Sequence, residues 1–478
     1  MQRKFDVIIV GGGPGGLSIG SLLAQEGVSS GIIEKAPVLG GRYRSVQFHG
    51  CRLDSGAHAL TGMVASPEET SVAKFLSYLG IPVEYKTVDW NMGLVSRDKP
   101  NRIDFFTMNP KLGVDNFFEF FAFASGTALE DRTKQELKRA FNIMEDMSEE
   151  EMRNSTNVDF ASWIDRNVED PMAQAVLHQA PILAGAAATE MNFGQFANVF
   201  GAFPRVGALS FGYPKHGTLE DAVIAPLTKY YTDHGGEVFT NKTATSISIR
   251  DGEAKGVVAR DNPTLFLEEF SAPVVICAIP VFEAVSRNVL RSEFLTRDWS
   301  EAIQRCARLA YNDLSGFYLL REEVMPRGIP EWVHLFDADY GVPTYVGDWW
   351  LGSFCNAVVP PGKQLVCSYI PGGLEATHFG LTSPMEKVWE ANNRFKDVVE
   401  KVSPGFAESI EFEGLNLQLN WGRYAWAVVP TEIDIQSPNI KGLYFAGDSV
   451  RSIGSMASDK IYQMAFPLCE RILKYVRP

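Results

Sequence analysis

The sequence predicts an α/β protein, a parallel sheet with helices that is interrupted by an inserted α+β domain, on three observations. Phe5 to Val10 (FDVIIV) is a continuous apolar run rich in β-branched residues, as in a parallel strand buried on both faces. A glycine-rich turn follows at once and opens a helical pattern over residues 14–26 (PGGLSIGSLLAQE), with Gly27 where a C-terminal cap would lie. Ser30 to Glu34 (SGIIE) reads as the second strand, which completes a βαβ unit of the Rossmann type.

The remaining elements follow in order. Val46 to Asp54 (VQFHGCRLD) alternates around a His49-Gly50 turn, as a hairpin does. Residues 66–204 read as mostly helical, through SVAKFLSYLG, DNFFEFFAFAS, TKQELKRAFNIMEDMSEEEMRN and FASWIDRNVEDPMAQAVLHQAPILAG. Strand signals return after Gly217 with GGEVFTN, ATSISIRDGEAKGVVAR and APVVICAIP, a meander that ends in another buried run. Residues 286–420 mix strands and helices and carry Trp332, Trp349, Trp350 and Phe354; residues 442–447 (GLYFAG) then give a final strand and 456–474 a last helix. The simplest topology is one nucleotide-binding domain made of residues 1–65, 205–285 and 421–478. Residues 66–204 and 286–420 would form a second, substrate-binding domain.

Composition limits the partners. The chain has 478 residues, 45% of them hydrophobic, enough for two or three packed domains. Its net charge of −14, with the acidic residues scattered, repels phosphate backbones and anionic headgroups, so nucleic acid is not an expected partner. Six cysteines lie far apart with no CxxC pair, which argues against a zinc site or a disulfide framework and fits a reducing, cytoplasmic compartment. The start, MQRKFDVIIVGGGPGG, lacks the pattern of a signal peptide. The most apolar run, Ala272 to Phe282, is about half the ~20 residues that cross a bilayer.

The opening loop places Gly11, Gly13 and Gly16 as GxGxxG, with Pro14 and Gly15 between the last two, directly between a strand and a helix. Gly11 permits the tight turn, Gly13 lets the backbone approach a pyrophosphate, and Gly16 lets helix and strand pack closely. The helix N-terminus offers unpaired N–H groups to the anion. Glu34, at the end of the second strand and followed by Lys35, stands where a carboxylate accepts hydrogen bonds from an adenosine ribose. These residues alone leave NAD and FAD both open.

Directly after the acid comes KAPVLGGRYRS, in which Gly40, Gly41 and Arg42 complete ExxxxxGGR. This arrangement resembles the second dinucleotide motif of the FAD-dependent group that includes monoamine oxidases, protoporphyrinogen oxidases and phytoene (carotenoid) desaturases. The resemblance implies a non-covalently bound FAD, with the glycines passing close to its pyrophosphate and Arg42 supporting the loop. GLYFAGD (442–448) resembles the C-terminal motif of the same group, which implies backbone room at Gly447 and a bond from Asp448 to the ribityl or pyrophosphate region. In IGSMA (453–457), Met456 and Ala457 would face the flavin pyrimidine at a helix N-terminus, although the family version is richer in glycine. The strand NKTATSISI lies where the family holds adenine by backbone groups, placed by register at Ala244 within one residue. YPKHGTL (213–219) and NAVVPPGKQLV (356–366) resemble segments of phytoene desaturases, which selects that subfamily over amine oxidases. Trp421, Tyr424 and Trp426 are either the paired aromatics of an amine oxidase or plain core.

For such a family the implied reaction is hydride exchange at flavin N5 with a small apolar substrate, isoprenoid or alicyclic, by desaturation, saturation or isomerisation, with an external electron acceptor. An amine or amino-acid oxidase, or a flavin-dependent hydratase or isomerase without net redox turnover, are the alternatives. His58 is the candidate catalytic side chain, because DSGAH follows the hairpin where the family brings the chain past the flavin; Gly56 and Ala57 would make close backbone contacts. The other reading of His58 is a histidine that bonds backbone or phosphate. Asp459 reads as a charge complement at a helix start and Lys460 as a solvated lysine. The histidines lack metal-ligand spacing, and no GxSxG elbow occurs. The phenylalanines at 117, 118, 120, 121 and 123 read as core, or as a tunnel or membrane-facing patch suited to peripheral contact at the inner membrane face.

Overall fold

The computed structural model describes residues 3–54, 60–62, 64, 66–95, 102–155, 158–181, 188–189, 191–201, 210–301, 303, 313–337, 344–371, 385–418, 434–447, 449–450 and 459–477. At its centre is a parallel sheet of five strands, ordered Glu237–Phe239, Ser30–Ile33, Val7–Val10, Val274–Cys277 and Leu443–Phe445. Val7, Ile8 and Ile9 have no exposed surface, as expected for a strand covered on both faces. The helix Pro14–Gln25 starts with proline at its first turn, where a missing N–H costs nothing, and packs against helices Ala225–Asp233 and Asp459–Val476. The other face takes the antiparallel meander of Lys242–Arg250, Glu253–Asp261 and Leu267–Ser271, with Arg3–Lys4 added parallel to the last strand. The chain leaves the central strand Val7–Val10 toward one side first and returns on the other much later, so the turn at Gly11 lies at the point where the strand order reverses.

The second large element is a seven-stranded sheet, ordered Ile410–Gln418, Asp313–Leu320, Gln364–Pro371, Thr344–Leu351, Trp332–Asp337, Asn91–Val95 and Ile103–Thr107. Its outer face packs Leu314, Tyr318, Val333, Leu335, Trp349 and Val366 against the helix Met385–Val402. Its inner face, with Phe317, Leu319, Trp332, Phe336, Trp350 and Cys367, belongs to the same core as the five-stranded sheet.

The helical reading of residues 66–204 is corrected between 85 and 107. Three strands lie there, Tyr85–Val88, Asn91–Val95 and Ile103–Thr107. The first pairs with Ser210–Pro214, which also pairs with Leu60–Gly62, and the other two extend the seven-stranded sheet through a parallel pairing with Trp332–Asp337. These runs are short, and Asn and Gly weaken the strand propensity of the second; the first two pair with segments over a hundred residues away, and the third then pairs with the second. Gly93 illustrates the cause, since a methyl group there would lie 2.9 Å from Val333 Cγ1 and 3.0 Å from Leu335 Cδ2. Elsewhere in the segment helices form, several with a side-chain cap: Asp159 accepts from Ser162 N at 2.8 Å, Asp170 from Ala173 N at 2.9 Å and Asn192 from Gln195 N at 2.8 Å.

Candidate functional site: a glycine cradle and a clasped hairpin

Three loops distant in sequence meet at the C-terminal edge of the five-stranded sheet. Gly11, at φ +105°, makes the turn, and its carbonyl oxygen lies 2.0 Å from where a Cβ on Gly16 would sit. Gly15 backs onto Gly447, whose Cα would be 2.9 Å from an added Cβ. Gly40 N donates to Gly12 O at 2.8 Å, which draws the GGR loop over the first turn, and Gly41 adopts φ +53° beside Gly13. Among the described residues, a Cβ on Gly13 would meet only the Gly41 Cα, 3.8 Å away. The cradle is therefore close-packed on its protein side, Gly41 included, and open at Gly13, where backbone rather than side chain is presented to a ligand. The helix behind it has Gly13 as its N-cap with no side-chain cap. These residues fit a dinucleotide pyrophosphate.

Glu34 sits at the end of its strand, 9% exposed, with one carboxylate oxygen accepting from Gly12 N at 2.8 Å and the other from Ala36 N at 2.8 Å. Two backbone donors thus fix the carboxylate beside the cradle, with lone pairs remaining for a hydroxyl. Lys35 is exposed, and its carbonyl accepts from Asn262 Nδ2 at 2.9 Å. Arg42 is half-buried in the short helical turn Gly41–Tyr43. The strand that carries Ala244 starts against Glu34, through a bond of 2.9 Å from Lys242 N to Glu34 O. The ladder skips one residue between Ala244 and Ser246, a β-bulge at the position expected to offer backbone groups. Gly56, Ala57, His58, Asp448, Met456 and Ala457 lie outside the described residues, as do Trp421, Tyr424 and Trp426.

A second cluster surrounds the hairpin Ser45–Phe48 and Cys51–Asp54, whose turn residues His49 (φ +46°) and Gly50 (φ +83°) both take positive φ. Both segments that resemble phytoene desaturases close on it. In the first, Thr218 Oγ1 pairs with Ser45 Oγ at 2.7 Å, and just after it Glu220 accepts from Ser45 N at 2.8 Å and Asp221 binds the Arg52 guanidinium with two bonds of 2.6 and 2.8 Å. In the second, Val358 and Arg52 exchange backbone bonds of 2.8 and 2.9 Å. Asn356 then ties the two segments together through Nδ2 bonds to the carbonyls of Pro214 (2.8 Å) and Gly217 (2.9 Å). Replacing Asp221 with Ala removes the fork on Arg52, and we expect a loss of about 1–3 kcal/mol in urea denaturation with little change in cofactor content.

At the end of this hairpin, immediately before residue 55, stands a buried carboxyl that the sequence did not single out. Asp54 is 2% exposed; the Tyr213 hydroxyl donates to its Oδ2, and Leu219 N donates to its Oδ1 at 3.3 Å. Burial pushes its pKa up to about 8, against the opposing effect of the two hydrogen bonds and of Arg52. The signal in the sequence is the acid of DSGAH itself, next to the histidine that drew attention.

The last helix starts at Asp459, as read, and corrects the reading of Lys460. Asp459 is buried and accepts from Ser71 N and, at 3.0 Å, from Ser71 Oγ, so it ties two helices together; burial raises its pKa. Lys460 is 1% exposed rather than solvated, because the helix rests on the core along this side. Among the phenylalanines, Phe118 and Phe120 are core, and Phe120 packs on Phe106 and Phe336 of the inner sheet face. Trp349 and Trp350 are buried as well. Among the described residues no group of three or more His, Cys, Asp or Glu could hold a metal ion, and no helix is long and apolar enough to cross a membrane.

The family model of the flavin-containing amine oxidoreductases matches residues 14–458, which includes the cradle from Pro14 onward, the hairpin and both clasping segments. The chain belongs to this family. A 4,4'-diapophytoene desaturase (4,4'-diapolycopene-forming) of a Methylomonas species is 23% identical over 288 residues, 54% of this chain and 51% of that protein. The match thus spans about half the length of that relative. Of the solved structures, an oxidoreductase from Methanosarcina mazei superposes with a TM-score of 0.67 at 15% identity, covering 98% of this chain and 100% of that one. A putrescine oxidase bound to putrescine gives 0.63 at 15% identity, covering 99% and 100%. At such identities the likeness is one of fold, and the fold is that of flavin-binding oxidoreductases with an inserted α+β layer.

Proposed function

We propose that this chain is an FAD-dependent oxidoreductase of the phytoene-desaturase type, which holds FAD non-covalently and exchanges a hydride with an apolar isoprenoid or alicyclic substrate. The observation that carries the reading is the convergence of the YPKHGTL and VPPGK segments on the hairpin that leads into residues 55–59, supported by the desaturase among the relatives. In this reading Gly11, Gly13, Pro14, Gly15, Gly16, Gly41 and Gly447 receive the pyrophosphate, Arg42 braces the loop, Glu34 accepts from the adenosine ribose, and the backbone near Ala244 meets adenine. Residues 1–65, 205–285 and 421–478 form the FAD-binding domain, and 66–204 with 286–420 the substrate domain. Bound flavin supplies the hydride acceptor or donor. The protein's own part is to orient an apolar substrate and exclude water, for which the aromatic inner face of the seven-stranded sheet is suited.

Acid precipitation of purified protein is expected to release all of its flavin as FAD into the supernatant. Anaerobic mixing with phytoene or geranylgeraniol, in the presence of a quinone acceptor, is expected to produce a desaturated product and quinol. Release of hydrogen peroxide with putrescine, and no turnover of either isoprenoid, would replace this reading by an amine oxidase.

A further inference from the structure

The antiparallel strands Glu253–Asp261 and Leu267–Ser271 are joined by a turn that holds three successive large apolar side chains out in solvent. Leu265, Phe266 and Leu267 are 65%, 74% and 65% exposed. Among the described residues, the other exposed large apolar side chains, such as Tyr78, Met172 and Val358, stand singly along the chain. Isolated ones are ordinary on a protein surface, whereas adjoining ones mark a contact surface.

The turn that presents them is held by hydrogen bonds on every side. Asp261 N donates to Phe266 O at 2.8 Å and Leu265 N to Asp261 O at 2.7 Å, which closes the loop through backbone. The Asp261 carboxylate accepts from Thr264 N at 2.9 Å and from Thr264 Oγ1 at 2.7 Å. Lys242 Nζ bridges that carboxylate to Glu268 with bonds of 2.8 and 2.5 Å. Asn262 fastens the base of the turn, with Nδ2 donating to Lys35 O at 2.9 Å and its backbone N to Asn241 O at 2.8 Å. Leu265 itself takes φ +63°, a left-handed conformation that suits glycine or asparagine and disfavours leucine. Turn geometry therefore does not explain the leucine.

Area and shape fit this tip to the interfacial region of a lipid bilayer. The three side chains present roughly 400 Å² of apolar surface, so two copies meeting tip to tip would bury about 800 Å², short of the ~1,000 Å² of a specific protein interface. Successive side chains of an extended segment point to opposite sides, so a rigid protein surface reaches one side of the tip while a fluid phase surrounds it. The polar groups carried toward the headgroups are already paired, since the loop closes its own backbone bonds and Lys242 stands between Asp261 and Glu268. The net charge of −14 and the exposed Glu269 oppose an anionic surface, which leaves a zwitterionic one. We propose that Leu265, Phe266 and Leu267 form an anchor that inserts into the surface of a zwitterionic lipid bilayer and holds the protein there reversibly. The inference goes beyond the redox reading, and none of the three residues belongs to the cofactor site.

The test is flotation of the flavin-loaded full chain with phosphatidylcholine vesicles. Wild type is expected to rise with the vesicles to the same extent in about 0.1 M and about 0.5 M NaCl, because salt does not screen the burial of apolar surface. Phosphatidylglycerol in the vesicles is expected to weaken binding at the lower salt. The triple variant Leu265→Asn, Phe266→Ser, Leu267→Thr places residues suited to the turn and the strand. It is expected to lose at least tenfold in partition coefficient, with flavin content and thermal melting as in wild type, and Phe266→Ser alone to lose about fivefold. Absence of wild type from the vesicle fraction overturns the proposal, as does equal flotation of the triple variant. Stronger binding to phosphatidylglycerol vesicles that is abolished at the higher salt assigns the contact to charge and overturns it. A concentration-dependent dimer in sedimentation equilibrium that the triple variant lacks assigns the tip to a second copy of the chain, and also overturns it. Each of these results leaves the FAD reading standing, since that reading is checked separately by the cofactor released on acid precipitation.

Discussion

Gly16→Ala is expected to yield a chain without flavin and largely without native fold, whereas Gly13→Ala keeps its fold and loses the cofactor alone. The two glycines belong to one motif, yet a methyl group meets different surroundings at each. On Gly16 it would lie 2.0 Å from the carbonyl oxygen of Gly11 and 3.2 Å from Ile9 Cγ2. The first contact is to backbone, itself held in a turn at φ +105° by a 2.9 Å bond from Gly11 N to Ile33 O, so it cannot yield without separating helix from sheet. Overpacking of this kind, at the centre of the five-stranded sheet, is expected to exceed ~4 kcal/mol.

On Gly13 the backbone is extended, with φ −77° and ψ −176°, a conformation open to any residue, and among the described residues the methyl group would meet only Gly41 Cα at 3.8 Å. The fold is therefore expected to change by less than about 1 kcal/mol. The methyl group fills the open side of the cradle, where a pyrophosphate must touch backbone, and flavin affinity is expected to fall at least tenfold. Flavin-to-protein ratio by absorbance and circular dichroism melting on both variants separate the two effects. Full flavin content in Gly13→Ala would mean that the cradle is not the pyrophosphate site.

The second large effect is the pH dependence of Asp54→Asn. Asp54 has a pKa pushed up to about 8 in the fold, mainly by burial, against an ordinary value of 3.8. Between those two values the folded chain keeps a proton that the unfolded chain has lost, so stability falls as pH rises across that window, by up to ~1.4 kcal/mol per pH unit from this group. Below the lower value both states are protonated and the effect is fully absent; above the upper one it is complete. Among the described residues, the titratable groups that act on Asp54 include Tyr213, Arg52, Asp221, Cys355 and Cys367, and Arg52 and Asp221, paired with each other, act on it in opposite directions. An asparagine preserves the shape and cannot ionise.

Urea denaturation of both proteins from about pH 5 to about pH 8 is expected to shift the difference between them in favour of the variant by on the order of 2–4 kcal/mol. Parallel profiles would show that Asp54 is ionised in the fold. The consequence reaches function, because Asp54 anchors the end of the hairpin to Tyr213 and Leu219, just ahead of the segment assigned to the flavin ring.

The parts of the cofactor cradle that were legible in sequence are those whose geometry is local. A β-branched run, a glycine turn, a helix pattern and an acid at the end of the next strand specify one βαβ unit within about 30 residues, since each step constrains its neighbour. The hairpin at His49-Gly50 and the final strand before Gly447 were legible for the same reason. The segments YPKHGTL and VPPGK could be recognised, yet nothing in their spacing told that they share a hairpin, because the bonds that join them run between residues more than a hundred positions apart.

What the sequence by itself determined is therefore the cofactor class, the family and the local units that form the cradle. Tertiary structure alone decided that Tyr85–Val88, Asn91–Val95 and Ile103–Thr107 are strands, that Asp54 is buried against Tyr213, that Lys460 lies in the core, and that Asn356 joins the two segments around the hairpin. The physical reason is common to all four. A strand of four or five residues, or a single polar side chain, carries too little intrinsic preference to fix its surroundings, and the register of a distant partner supplies the remainder.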